Sequence, residues 1–201
     1  IWDIHDNLSF PLPVIIICEI LGIPTDDIHK FKRWADATVE QMCSEDPQKF
    51  EKELSQMRDY LLDLILKKRE KEEDSTLLSR IAHAKLKSKY LSNDEAVNLT
   101  VQIFVAGNET TTSLISNLVW RMMTVDNLWE DFVSNKIEIN DAINESLRYD
   151  PPLLGLFKTT SKEVNIEGNI IPKNSKVMMH YGAANRDPVV FKNPNTFDLT
   201  R

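Results

Sequence analysis

Val101-Gln102-Ile103-Phe104-Val105-Ala106-Gly107-Asn108-Glu109-Thr110-Thr111-Thr112-Ser113-Leu114-Ile115 is the stretch on which the fold turns. Just upstream, Ser92-Asn93-Asp94-Glu95 is a capping box: the Ser92 hydroxyl accepts from the Glu95 amide, and the Glu95 carboxylate reaches back to the Ser92 amide. A helix therefore starts at Asn93. Leu99, Ile103, Ala106, Thr110, Leu114 and Leu118 carry it to about Thr124, roughly 32 residues or about 48 Å, enough to cross a whole domain. Its middle is built from poor helix formers. Gly107 costs about 1 kcal/mol relative to Ala, and three consecutive β-branched Thr residues add some tenths each. Such a conflict between local propensity and fold is expected at a functional site. Ala106, Gly107 and Thr110 lie on or near one face, so a flat or bulky ligand can approach the backbone while a hydroxyl and the Glu109 carboxylate handle protons. The same residues also describe a plain helix crossing, with Thr hydroxyls bonded back to i−4 carbonyls.

Upstream, Pro11 to Leu21 reads as a short buried helix stopped by Gly22-Ile23-Pro24. Thr25-Asp26-Asp27 caps a second amphipathic helix carrying Ile28, Phe31, Trp34, Ala35 and Thr38. Between Pro47 and Asp74 an apolar stripe, Phe50, Leu54, Met57, Leu61, Leu64 and Ile65, ends in the charge run Lys67 to Asp74, a solvated helix end. Downstream, a short helix falls near Asp126 to Phe132. Another, Ile139 to Tyr149, is stopped by Asp150-Pro151-Pro152. Val164-Asn165-Ile166 and Ile170-Ile171 then flank Glu167-Gly168-Asn169 as a hairpin, and Lys176 to Tyr181 reads as a further strand. The expected class is mainly α with a small β component, in one domain spanning 1–201 with no linker.

The chain has 201 residues, 42% hydrophobic and 27% charged, with 24 Lys+Arg against 31 Asp+Glu and a net charge of −7. An acidic chain argues against nucleic acid as partner. Five Gly, where average usage gives about 14, disfavour Gly-rich β architectures. Two cysteines, Cys18 and Cys43, exclude a disulfide framework and suit a reducing cytoplasm. The longest apolar run, Val14 to Cys18, is closed by Glu19, far short of the roughly 18 residues of a membrane span. Ile1-Trp2-Asp3-Ile4 has neither an initiator Met nor a basic region, so it reads as a cut into a longer chain and not as a signal peptide.

Phosphate-binding, zinc-protease and hydrolase signatures are all missing, the four histidines are scattered, and the N-x-[ST] triplets at Asn98, Asn108 and Asn144 fall in expected helices. Glu145 and Arg148 form an i, i+3 pair, which alone is worth a few tenths of a kcal/mol. Together with the long helix the pair carries more. Ala106-Gly107-Asn108-Glu109-Thr110-Thr111 resembles the oxygen-activation motif of cytochrome P-450, and Glu145-Ser146-Leu147-Arg148 with Pro151-Pro152 resembles its E-x-x-R segment. Ala184-Asn185-Arg186-Asp187-Pro188, Phe191, Pro194 and Phe197 to Arg201 resemble the segment leading to the haem loop in prokaryotic members. Phe10 to Ile15 with Leu21 to Pro24 resembles their E-helix region, so the resemblance spans essentially the whole chain.

That resemblance implies a cytochrome P-450 fold with a long central I helix, a K helix and a C-terminal β hairpin. It implies a haem-dependent monooxygenase that uses O2 and heme b (iron protoporphyrin IX), takes electrons from a ferredoxin-like donor and oxidises a small hydrophobic substrate in the cytoplasm, without a membrane span. Glu109 and Thr110 would be the acid and the alcohol of its proton relay. Ala106, Gly107, Thr110 and Lys158 would contact the cofactor, Lys158 through a haem propionate. Glu145, Arg148 and Arg201 would form a structural network. Val105 and Ala106, with Leu153, Leu154, Gly155, Leu156 and Phe157, would line the substrate pocket. The cysteine thiolate that binds iron is expected C-terminal to Arg201 and the family's N-terminal region before Ile1, so neither Cys18 nor Cys43 is assigned to the metal. A catalytically inactive helical scaffold, or a haem-binding sensor on the same fold, is the alternative reading.

Overall fold

A computed structural model describes residues 2–25 and 28–201, with the backbone but not the side chain of Cys43. Its contacts group into two compact units, Ile1–Thr112 and Ser113–Arg201. The boundary falls inside one uninterrupted helix.

In the first unit, a π-helical turn His5–Ser9 leads into α1 (Pro11–Leu21). Proline suits the first helical position, where the missing amide hydrogen has no partner to lose. Val14, Ile17, Cys18 and Leu21 are buried. Gly22 closes α1 at φ 74°, its N–H on the Cys18 and Glu19 carbonyls. A Cβ there would also collide with the Thr76 side chain, so glycine answers both a left-handed backbone and a close approach. The expected cap at Asp26-Asp27 lies outside the described residues. Helix α2 (Ile28–Cys43) buries Phe31, Trp34 and Ala35.

A 3₁₀ turn at Pro47–Phe50 precedes α3 (Glu51–Arg69), so the expected stripe divides at Phe50 and the helix stops before the end of the charge run. Lys67, Lys68 and Arg69 occupy the last turn, where cations complement the helix dipole. Arg69 is not merely solvated: it donates to the Ala82 and Leu91 carbonyls and to Asn93 Oδ1. Helix α4 (Leu77–His83) is capped by Thr76, whose side chain accepts from the Ser79 amide. A two-rung ladder follows, β1 (Lys85–Leu86) on β2 (Lys89–Tyr90).

Helix α5 (Asn93–Thr124) has 32 residues. Its capping box closes as read: Ser92 N–H donates to Glu95 Oε2 at 2.8 Å and Glu95 N–H to Ser92 Oγ at 3.2 Å. Ala96, Thr100, Phe104, Asn108 and Thr112 are all buried, a stripe at four-residue spacing that turns one face of α5 inward. Phe31 is the hub of that core, its ring 5.5 Å from Trp34, 5.8 Å from Tyr60 and 5.4 Å from Phe104.

In the second unit, Leu118 and Met122 of α5 pack with Leu128 of α6 (Leu128–Val133) and Ala142 of α7 (Ile139–Tyr149). Phe197 and Leu199 from the C-terminal segment close that core. Strand β3 (Gly155–Thr159) pairs antiparallel with β6 (Lys176–His180). The expected hairpin is β4 (Val164–Ile166) on β5 (Asn169–Ile171), turning at Glu167 and Gly168, both with positive φ. A single turn, α8 (Tyr181–Ala184), follows β6 directly. The protein is mainly helical with small sheets, and among the described residues no helix is long and apolar enough to cross a membrane.

Candidate active site

The centre of α5 is α-helical without interruption. Ala106 and Thr110, one turn apart, are exposed together with Gln102 and Leu99, forming a ridge opposite the buried stripe. Gly107 does not share that ridge. A Cβ on it would meet Ile17 Cδ1 of α1 at 3.3 Å, so its small size serves the packing of α5 on α1. Thr110 Oγ1 donates to the Ala106 carbonyl at 2.7 Å, which commits its proton within the helix and leaves its lone pairs facing outward. Glu109 is half-buried. Burial pushes its carboxyl above the ordinary range, the Asp36 carboxylate adds to this, and Lys32 and His5 partly oppose it. Lys32 is itself drawn to Asp36 at 3.5 Å and lies 4.6 Å over the Phe10 ring.

The second unit holds a buried charge network. Arg148 donates from Nε to Glu145 Oε2 and from Nη2 to Oε1, both at 2.7 Å, a bidentate fork possible at i, i+3 on α7. Glu145 also accepts from the Asp198 amide at 2.7 Å and from Arg201 Nε at 3.3 Å. Exposure is 4% for Glu145 and 7% for Arg148, so this pair is no solvated surface contact. Burial pushes the Glu145 carboxyl up, but the hydrogen bonds from Arg148, Asp198 and Arg201 outweigh it and hold the group below its usual range. The remaining donors reach backbone: Arg148 to the carbonyls of Asn185, Pro194 and Thr196, and Arg201 to those of Lys192, Asn193 and Thr196. A cleft of about 390 Å³ opens beside the network, lined also by Asp141, Leu147 and Phe191.

Around it stand residues to which the motifs gave no role. Tyr149 donates to the Asn195 carbonyl, and the guanidinium carbons of Arg186 and Arg121 lie 4.2 and 4.7 Å from the centre of its ring. Arg121 in turn grips Asp150 at 2.5 and 3.0 Å. Aromatic Tyr149 beside Arg148, and Arg186 inside the Asn-Arg-Asp run, were the available signals.

The apolar segment after α7 is partly strand. Leu153, Leu154, Leu156 and Phe157 are all exposed. Pairing sets Leu156 opposite Met179, Phe157 opposite Met178 and Lys158 opposite Val177. Successive residues of a strand alternate between faces, so Leu156 and Lys158 share one face and Phe157 takes the other. Gly155 is required by closeness: a Cβ would fall 2.5 Å from the Met179 carbonyl.

The sequence model of the cytochrome P450 family matches residues 138–201, the part that holds the Glu145 network and the β3–β6 pair. A cytochrome P450 of Bacillus subtilis is 32% identical over 203 residues, covering 99% of this chain and 49% of that protein. Erythromycin C-12 hydroxylase of Saccharopolyspora erythraea is 32% identical over 205 residues, covering 100% and 51%. The ligand-free structure of cytochrome P450 TbtJ1 superposes with a TM-score of 0.90 at 32% identity, over 100% of this chain and 54% of that one. The chain belongs to the cytochrome P450 family. It spans about half the length of the curated relatives it matches.

P450s carry haem, and the residues described here divide in how they suit it. On the Ala106–Thr110 turn of α5 the exposed ridge bears a methyl and a short hydroxyl side chain beside a carboxyl, which lets a flat ring lie close to the helix there. On β3, Lys158 offers an exposed cation for a carboxylate. Cys18 does not suit the iron: it is fully buried in the α1 core, and burial pushes its thiol up to about 11, away from the thiolate that ligates metal. The side chain of Cys43 lies outside the described residues.

Proposed function

We propose that this P450 works in a haem-dependent monooxygenase. The overall change takes a C–H bond, O2, two electrons and two protons to an alcohol and water. The electrons come from a ferredoxin-like partner and the substrate is a small apolar molecule in the cytoplasm. Bound haem would supply the redox chemistry. Helices α5 and α7 take the parts of the central I helix and the K helix.

The observation that carries the reading is the placement of Glu109 beside the exposed Thr110 on α5, in a chain that belongs to the P450 family. A carboxyl held above its ordinary pKa keeps a proton closer to neutral pH than a free Glu does, which is what a general acid needs. Its neighbour Thr110 presents Oγ1 lone pairs on the exposed ridge. When that hydroxyl turns away from the Ala106 carbonyl it can pass a proton outward and be resupplied by Glu109. On α5, Ala106 leaves room beside the helix, and on β3, Lys158 would hold a haem propionate. Leu153, Leu154 and Leu156 would give an apolar lining, a setting that favours a hydrophobic substrate, whereas Val105, expected among them, packs against the core of its own unit, and Gly155 and Phe157 take the opposite face of β3. Glu145, Arg148 and Arg201 act through the backbone they hold and touch no reacting atom. The similarity to a protein named erythromycin C-12 hydroxylase supports the hydroxylation of a carbon centre.

Expression of the gene product with haem, followed by the spectrum of its reduced, carbon-monoxide-bound form, tests the assignment. A strongly red-shifted Soret band is expected, and its absence would overturn the reading. Thr110→Ala should retain haem while diverting electrons from product to hydrogen peroxide. Unchanged coupling in that variant would refute the relay.

A further inference from the structure

We infer that Met179 on β6 is a specificity-determining residue of the substrate pocket, acting from the face of the β3–β6 pair that carries Leu156 and Lys158. This deepens the function proposed above and rests on it. Residues directly opposite in an antiparallel pair share a face. The register therefore sorts the side chains into two sets, with Leu156, Lys158, Val177 and Met179 on one face and Phe157, Thr159, Lys176 and Met178 on the other.

The two faces differ in chemistry. On the second, the Lys176 ammonium lies 4.7 Å over the Phe157 ring, and Met178 Cε occupies the space a Cβ on Gly155 would need. Those apolar groups already have partners, one of them a cation. On the first face Leu156 and Met179 stay 44% and 40% exposed, Val177 is half-buried, and Lys158 at the end of the row is the single charge. An aliphatic surface ending in one cation complements an apolar body that lies beside an anion. A hydrophobic substrate next to the carboxylate edge of haem has that description. Within this pocket the unbranched, polarizable methionine adapts its shape to the substrate held against it. Neither apolar periodicity nor the family motifs single out Met179; only the register does.

Adjacent methionines on opposite faces provide a matched test. The haem-loaded gene product is titrated with imidazole and with econazole, which carries the same iron-binding ring on a bulky apolar body, and binding is read from the shift of the haem spectrum. The ratio of the two affinities isolates contacts to the apolar body. Met179→Ala should lower econazole affinity about tenfold relative to imidazole, the scale of a lost methylene-sized contact or two. Met178→Ala should leave the ratio within about twofold of the parent, since a surface contact away from the ligand changes little. If Met179→Ala fails to hold haem, the volume-conserving Met179→Leu carries the test, with a change of about threefold in the ratio expected. An unchanged ratio at position 179, or an equal fall at position 178, would overturn the inference. Absence of any spectral shift with either probe in the parent protein would instead overturn the haem reading, and this inference with it.

Discussion

Replacing Arg148 with alanine asks whether Glu145 is held as a buried anion. The guanidinium places two N–H groups on the carboxylate at 2.7 Å and donates further to the carbonyls of Asn185, Pro194 and Thr196 at 2.8–3.0 Å. Alanine removes all of these bonds. Glu145, 4% exposed, keeps the Asp198 amide and the 3.3 Å contact with Arg201, which do not replace the lost fork. Breaking a buried pair from one side costs about 3–5 kcal/mol. Each abandoned carbonyl adds about 1 kcal/mol where water does not reach it. The expected loss is therefore at least about 3 kcal/mol, a large part of the roughly 5–15 kcal/mol that holds a domain folded. Arg148→Lys keeps the charge but not the fork, and should lose about 2 kcal/mol. Urea unfolding read by tryptophan fluorescence gives the numbers, Trp120 and Trp129 lying in the same unit as the network. A double-mutant cycle with Glu145→Ala gives the coupling. A loss below about 1 kcal/mol for Arg148→Ala, in the range of exposed pairs, would show that water reaches the pair and would refute the reasoning.

Glu145 and Glu109 predict opposite pH dependences. Glu145 titrates below its unfolded value, so its stabilisation is complete above the ordinary Glu range near pH 4.3 and is lost as pH falls toward the folded value. Glu145→Gln should remove that acid limb from a stability-versus-pH curve. Glu109 titrates above its unfolded value, so the unfolded chain releases this proton first and stability declines as pH rises from the ordinary Glu value. Glu109→Gln should flatten that decline, and a parallel curve would count against the burial argument. Gly22→Ala should destabilise by about 2–4 kcal/mol, combining left-handed strain with overpacking against Thr76; thermal melting below 1 kcal/mol of loss would contradict it. Ser92→Ala should cost about 1 kcal/mol through the broken capping box, visible as faster amide exchange in the first turn of α5.

Long periodic helices with chemical end signals were readable. Ser92 and Glu95 located the start of α5 because a capping box satisfies named backbone donors, and Pro151 stopped α7 because its ring excludes a helical predecessor. What escaped lacked such local signals. Strand β3 runs Gly155-Leu156-Phe157-Lys158-Thr159 without polar alternation, and its partner lies some twenty residues downstream. Helix α4 is seven residues long, shorter than two full periods of a hydrophobic stripe. The β1–β2 turn uses Lys87 and Ser88 at positive φ, where glycine or asparagine would have announced it. At the site, residue spacing showed that Glu145 and Arg148 can meet, but their burial depends on carbonyls forty or more residues away. The family resemblance brought Arg201 to the same network. The direction of Gly107 was equally hidden, because it is set by the tip of Ile17 on another helix.

Arg148 and Arg201 hold the 185–196 segment almost entirely by its carbonyl oxygens, Thr196 O receiving a donor from each. A carbonyl is the one acceptor every amino acid carries. Asn185, Arg186 and Asn195 add side-chain bonds of their own, but exposed positions such as Val189 and Val190 can be rewritten, to suit a different docking partner for example, while the arginines preserve the trace of the chain beneath.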